Sequence, residues 1–174
     1  MHRSAGRVAT VVGAIAAVAL QVLVAPNISL GFAVPNFLLA YTVVIAVVRA
    51  EGSGPVMPFL LGLIFDLVGG GPVGAMAFVF GLVSFLASKA FSLLDNGTLF
   101  MPVALVVVSL LAGEVLYGAL LLLGGSASGL LEAFAYRSLP CALYDSVLGL
   151  VMYPLYMRFA AQGGTAQSGM PLVR

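Results

Sequence analysis

Three acidic residues lie within apolar stretches of the sequence, and they are the first candidates for chemistry. They are Asp66, Glu114 and Asp145. An ionisable side chain inside a membrane span is energetically costly, so it is a functional candidate by default. Such acids could protonate a group or move a proton, but no histidine, no serine with a nearby base and no set of metal ligands accompanies them. We therefore predict no catalytic residue, no metal site and no cofactor.

When the chain is divided into membrane spans, the three acids fall at a similar depth, in the outer half of the bilayer. The predicted polar layer comprises Gln21, Asn36, Asp66, Glu114, Tyr117, Tyr144 and Asp145. Two interpretations stay open. In the first, the acids are protonated or bond to hydroxyl and backbone groups, and so tie the helices together. In the second, the layer lines a cavity that opens outward and receives a ligand or a partner.

The composition is that of a protein embedded in a membrane. Of the 174 residues, 62% are apolar, and only 7 are basic and 6 acidic. A soluble domain usually has about a quarter of its residues charged. No basic run is present that could neutralise phosphates, so we expect no nucleic-acid partner. The single cysteine, Cys141, excludes an intrachain disulfide and is interpreted as a small packing residue.

Six apolar stretches predict an all-α integral membrane protein with about six transmembrane helices. The predicted spans are residues 8–25, 33–48, 56–68, 72–88, 100–123 and 138–159. Spans three and four are short, so a hairpin that only dips into the bilayer is the alternative for that pair. Residues 1–160 are expected to form one transmembrane domain, followed by a flexible cytoplasmic tail at 161–174. Residues 127–136 are expected to lie along the outer interface.

The basic residues predict the orientation of the spans. Six spans place Arg3, Arg7, Arg49, Lys89, Arg158 and Arg174 on the inner side. Arg137 alone falls on the outer side. Cytoplasmic loops carry an excess of lysine and arginine, so both termini are predicted to lie in the cytoplasm. The expected location is the cell (inner) membrane, in contact with lipid on all sides.

Two features of spans three and four suggest specific contacts. Asp66 precedes a glycine turn, so we expect its carboxylate to bond to the freed backbone N–H groups of residues 70–74 or to a neighbouring helix. Span four carries small residues at helical spacing, namely Gly74, Ala77, Gly81 and Ser88. Such a stripe lets helices approach closely. It is either an internal packing surface or an outward face that binds a partner's transmembrane helix.

Residues 33–90 resemble the core of the rod shape-determining protein MreD family. The residues that carry the resemblance are Pro35, Asn36, Gly62, Asp66, Gly70, Gly74 and Ala77. The family shows Pro with Asp or Asn opening span two, then a Gly-Leu-x-x-Asp segment, then a Leu- or Val-Gly and an Ala. The glycine triplet before Pro72 is more glycine-rich than is usual in the family. Glu114 and Asp145 are not carried over from the family pattern.

The resemblance implies a non-catalytic scaffold of the bacterial cell-elongation machinery. Members of the family associate with the bitopic protein MreC, and through it with MreB, RodA and a class B penicillin-binding protein. Their fold is similar to the S components of energy-coupling-factor vitamin transporters. A substrate-binding S component is therefore the alternative function. The short outer loops and the absence of tryptophan favour the scaffold.

Overall fold

The structure is a computed structural model, and it describes residues 2–30, 33–49, 54–69, 71–94, 100–126 and 128–162. Within these residues the chain forms six α-helices, so the predicted all-α architecture is confirmed. The helices are α1 (His2–Leu23), α2 (Phe37–Val48), α3 (Val56–Gly69), α4 (Ala75–Leu93), α5 (Phe100–Leu123) and α6 (Leu139–Gln162). Gly70 and residues 163–174, which include Arg174 and most of the predicted tail, lie outside the described residues.

Helix α2 is the centre of the bundle. Every residue from 37 to 47 is buried, and the helix packs against α1, α4, α5 and α6. A helix that is apolar on all sides is typical of such a position. Its 12 residues extend over about 18 Å, less than the roughly 30 Å of a hydrocarbon core. The start of α2, at Asn36 and Phe37, is buried, so its backbone groups need protein partners.

Helices α3 and α4 form a tight pair. A side chain at Gly62 would place its Cβ 2.6 Å from Ala77 Cα and 2.6 Å from the Met76 carbonyl oxygen. Only glycine allows the two backbones to come this close. Gly81 contributes less, since an added Cβ would sit at 3.6 Å from Phe59, an ordinary van der Waals contact.

The lengths of the helices divide them into two groups. Residues 75–93, 100–123 and 131–158 are long and apolar enough to cross a membrane. The apolar parts of α1, α2 and α3 are shorter. Among the described residues, three helical segments therefore have the length and composition of full spans, and three apolar helices are shorter.

The predicted boundaries of three spans need correction. Span one was predicted at residues 8–25, whereas α1 covers His2–Leu23. Span two was predicted to begin at residue 33, whereas α2 begins at Phe37 because Asn36 caps it: the Asn36 Oδ1 accepts from the Leu39 N–H at 2.9 Å. Span four was predicted to end at residue 88, whereas α4 continues to Leu93. Lys89 therefore lies within α4, and its ammonium group lies 5.8 Å from the centre of the Phe85 ring, one turn earlier.

The segment before α6 is helical too. Leu131–Ser138 forms wide π-helical turns and runs directly into α6. Leu130, Leu131 and Tyr136 are exposed, whereas Ala133 is buried. The segment overlaps residues 127–136, which were expected to lie along the outer interface. Its helical turns continue past residue 136 and join α6 without a break. We refer to Leu131–Ser138 as the π segment.

Candidate functional site

The start of α2 is held by Asn36 and Asp145. The Asn36 side chain accepts from the Leu39 N–H, and the backbone N–H of Asn36 donates to Asp145 Oδ1 at 2.7 Å. Asp145 comes from α6 and is fully buried. The first N–H groups of a helix lack partners within the helix, and a carboxylate at this end is also favoured by the helix dipole. Asp145 therefore ties α6 to the start of α2.

Gln21 secures the same helix end from α1. Its Oε1 accepts from the Phe37 N–H at 2.8 Å, and its Nε2 donates to the Pro35 carbonyl at 3.2 Å. One amide side chain thus satisfies both a donor and an acceptor of the backbone. The irregular stretch that leads into α2 is bonded to two other helices, as buried backbone requires.

Asp66 does the equivalent work at the start of α4. Its Oδ2 accepts from the N–H groups of Gly74, at 2.9 Å, and Ala77, at 3.1 Å. Its Oδ1 accepts from the Met76 N–H at 3.1 Å. The expected bonding to the freed backbone is confirmed for Gly74 and extends into α4. Gly74 has a φ of 96°, a conformation that favours glycine.

Glu114 differs from the two aspartates. Its residue is 2% exposed, and its backbone carbonyl accepts from the Ser138 hydroxyl at 2.8 Å. Glu114 lines the same small cavity as Asn36, and its carboxyl group lies near the side chains of Asn36 and Asp145. These three residues bring α2, α5 and α6 together around buried polar groups.

A large cavity of about 1140 Å³ lies at one end of the bundle. It is enclosed by the ends of α1, α3 and α5, the start of α2 and the π segment, and it is open on one side. The predicted topology places this end on the outer face. Most of the lining is apolar, and its polar members are Gln21, Asp66, Tyr117, Ser126, Glu132, Tyr136 and Arg137. We call this the outer cavity.

The structure places most of the predicted polar layer around two cavities and leaves Tyr144 apart from both. Gln21, Asp66 and Tyr117 line the outer cavity. Asn36 and Glu114 line a small adjacent cavity of about 80 Å³, with Asp145 bonded to Asn36 nearby.

Tyr144 belongs to neither cavity. Its hydroxyl donates to the Ile28 carbonyl at 2.9 Å, in an exposed position. The bonding of Asp66 and Asp145 to backbone N–H groups agrees with the first interpretation, and the outer cavity is a space of the kind that the second interpretation requires.

Arg137 is a residue of the site that the sequence reasoning missed. It was counted only as an outer basic residue, but its guanidinium lies 5.0 Å from the centre of the Tyr117 ring, and it lines both cavities. A signal was present in the sequence: Arg137, Cys141 and Asp145 are spaced four residues apart. In a helix that spacing places all three on one face.

The small-residue stripe of α4 faces inward. Ala77, Gly81 and Ser88 are buried within the chain, and Ala77 and Gly81 face α3. A partner's helix could reach this stripe only by displacing α3. The internal-packing alternative therefore describes these residues, and the stripe is not an outward face.

The model of one protein family, described as rod shape-determining protein MreD, matches residues 3–162. The chain belongs to the MreD family. The match extends well beyond the resemblance over residues 33–90 and includes α5, the π segment and α6. The family is one of shape-determining proteins, which gives this MreD-family chain a role in rod shape. No curated protein and no solved structure matches the chain.

The motif residues of this MreD-family chain have structural positions that can be read directly. The positions concerned are Pro35, Asn36, Gly62, Asp66, Gly74 and Ala77, while Gly70 is outside the described residues. They lie at the starts of α2 and α4 and at the close contact between α3 and α4. In the described part of the chain, no group of three or more histidine, cysteine or acidic residues is placed to hold a metal ion.

Proposed function

We propose that this MreD-family protein is a non-catalytic membrane scaffold of the bacterial cell-elongation complex, and that its outer cavity receives a segment of an MreC-like bitopic partner. Through that partner it would support MreB, RodA and a class B penicillin-binding protein, and so peptidoglycan synthesis and cell shape. The observation that carries the proposal is the open, largely apolar outer cavity in a chain of the MreD family.

The state of the acidic residues supports a scaffold over an enzyme. Asp66 accepts three backbone N–H groups, and Asp145 accepts the N–H of Asn36. Carboxyl groups bonded in this way stabilise the starts of helices. Their arrangement supports a rigid frame around the cavity.

The lining of the outer cavity suits a polypeptide segment. Apolar side chains such as Val18, Val22 and Val34 line it and would contact apolar residues of the partner. Glu132, Tyr136 and Arg137 are exposed along the π segment, where they offer both donors and acceptors. Binding sites of this kind combine a mostly apolar pocket with a few polar groups that set orientation.

The test fills the cavity without altering the helix ends. Val22 lines the outer cavity and is 45% exposed, whereas Val12 lies on the same helix, is 59% exposed and does not line it. Val22→Trp should reduce the amount of co-purified MreC-like protein by about tenfold or more, a loss of roughly 1.4 kcal/mol in binding. Val12→Trp is the matched control and should leave recovery unchanged. Equal recovery with both variants would contradict a partner site in the cavity.

A vitamin-binding S component is the second candidate, and one observation favours it. The outer cavity is at least as large as the 300–1,000 Å³ or so of typical small-molecule pockets, and Tyr117, Tyr136 and Arg137 line it. A pull-down in mild detergent separates the candidates. Recovery of MreC-like protein and loss of rod shape on depletion support the scaffold. Retention of a vitamin, recovery of ATPase subunits and normal cell shape would support the transporter.

The scaffold also needs the proposed orientation, with both termini in the cytoplasm. After replacement of Cys141, cysteines introduced at Ser4, Ser92 and Ser168 should be shielded from an impermeant thiol reagent in intact cells. Permeabilised cells provide the positive control for each site. Labelling of the Ser4 or Ser168 variant from outside would reverse the orientation and place the cavity on the cytoplasmic side.

A further inference from the structure

Two buried polar atoms at the start of α2 have no hydrogen-bond partner. They are Asn36 Nδ2, a donor, and Asp145 Oδ2, an acceptor. Asn36 is 2% exposed and Asp145 is 0% exposed, so bulk water does not reach them. The remaining polar atom of each side chain is already bonded: Asn36 Oδ1 accepts from the Leu39 N–H, and Asp145 Oδ1 accepts from the Asn36 N–H. The site therefore lacks a group that accepts from Asn36 and donates to Asp145.

Glu114 and Asn36 line the same small cavity of about 80 Å³, and the Glu114 carboxyl lies near both the Asn36 and the Asp145 side chains. An ionised carboxylate only accepts hydrogen bonds, so it could satisfy Asn36 but would oppose the Asp145 oxygen. A neutral carboxyl has one O–H donor and retains an acceptor oxygen. A single proton thus satisfies both unpartnered atoms at once.

We infer that Glu114 and Asp145 share one proton and form, with Asn36, a closed proton-binding site between α2, α5 and α6. In this site Asn36 Nδ2 donates to one Glu114 oxygen, and the proton lies between the other Glu114 oxygen and Asp145 Oδ2. Two carboxyl groups in one buried site resist ionising together. The proton belongs to the pair and not to one residue.

The charges around the pair are consistent with one bound proton. Arg137 of the π segment, Cys141 of α6 and Tyr117 of α5 lie near the pair, and Asp66 lies near Tyr117. The protonated pair has one negative charge, and the exposed Arg137 side chain supplies one positive charge near it. Full ionisation would place two negative charges in the same buried site.

Infrared spectroscopy of the purified full-length chain at neutral pH tests the proton directly. The parent should show the C=O stretch of a buried protonated carboxylic acid. Glu114→Gln and Asp145→Asn should each abolish that band, because each leaves one acid that an amide N–H can satisfy as the carboxylate. Glu132→Gln, at a fully exposed acid, is the control and should leave the band unchanged. A parent without the band, or a band that survives both buried substitutions, overturns the inference.

A double-substitution cycle in melting temperature tests the bonding pattern. Each single amide can replace the shared proton. In Glu114→Gln the new amide would donate to Asp145, and in Asp145→Asn the new amide would donate to Glu114. Both singles should therefore melt close to the parent. In the double variant both acids are amides, so one N–H donor must face another donor. Its melting temperature should fall by several degrees more than the sum of the changes in the two single variants.

The opposite protonation state predicts the opposite result. If both acids were ionised, with water in the small cavity, each single substitution would relieve repulsion and raise the melting temperature. The double variant would then show no extra loss. That outcome would overturn the shared proton even if the infrared band were obscured.

Discussion

The starts of α2 and α4 both have buried backbone N–H groups that need acceptors, and different side chains supply them. At α4, one carboxylate meets three backbone donors, since Asp66 accepts from Gly74, Met76 and Ala77. At α2, the backbone donors are divided among Gln21, Asn36 and Asp145, and Glu114 adds a further acid. At α4, both carboxylate oxygens of Asp66 accept hydrogen bonds. At α2, the carboxyl oxygens of Asp145 and Glu114 outnumber the N–H groups that could bond to them, and Asp145 Oδ2 has no partner. Asp66 and Asp145 look alike in the sequence but differ in what satisfies them. Asp66 is satisfied by backbone N–H groups, whereas Asp145 also needs a proton.

The largest expected effect is at the α4 start. Asp66→Leu leaves three N–H groups without acceptors in a buried position, which should cost on the order of 4 kcal/mol of folding free energy. We expect a large loss of monodisperse protein in detergent, measured by size-exclusion chromatography of a fluorescent fusion. A variant as stable as the parent would show that the hydrogen bonds at this helix start contribute little.

The same chemical change at the two sites sharpens the comparison. Asp66→Asn should be milder than the leucine variant, because one acceptor oxygen remains, but it should still lower stability by about 2 kcal/mol, since its N–H₂ group faces backbone donors. Asp145→Asn should lower stability far less, because its N–H₂ group gains the Glu114 carboxyl. Melting temperatures of both variants in one detergent provide the measurement. Equal losses would remove the distinction between the two sites.

The contact between α3 and α4 offers a pair of matched substitutions. Gly62→Ala places a methyl group against the Ala77 and Met76 backbone and should cost about 1–3 kcal/mol through overpacking. Gly81→Ala places one at ordinary contact distance from Phe59 and should be tolerated. Thermal unfolding distinguishes them. If both substitutions were tolerated, α3 and α4 would be able to move apart, and the hydrogen bonds from Asp66 to the start of α4 would not depend on their close approach.

The sequence was sufficient for the helical class and the family, because long apolar stretches and a spaced motif are local signals. It also placed Asp66 at a turn that needs acceptors. It could not show that Asp145 bonds to Asn36, since the two are far apart in the chain and meet only through packing. Arg137 was missed because its role depends on the π segment continuing into α6. The stripe from Ala77 to Ser88 was ambiguous, since periodicity gives a face but not its neighbour.

The smallest expected effect is at Tyr144, which was predicted to belong to the polar layer but lies apart from both helix starts. Its hydroxyl donates to the Ile28 carbonyl in an exposed position, and water can replace an exposed partner at little cost. Tyr144→Phe should therefore change stability by no more than about 0.5 kcal/mol and leave partner recovery unchanged. Thermal unfolding and the pull-down provide the two readouts. A loss comparable to that of Asp66→Asn would mean that the contact between α6 and the turn after α1 is a third essential support of the outer cavity, and the comparison of two helix starts would have to include it.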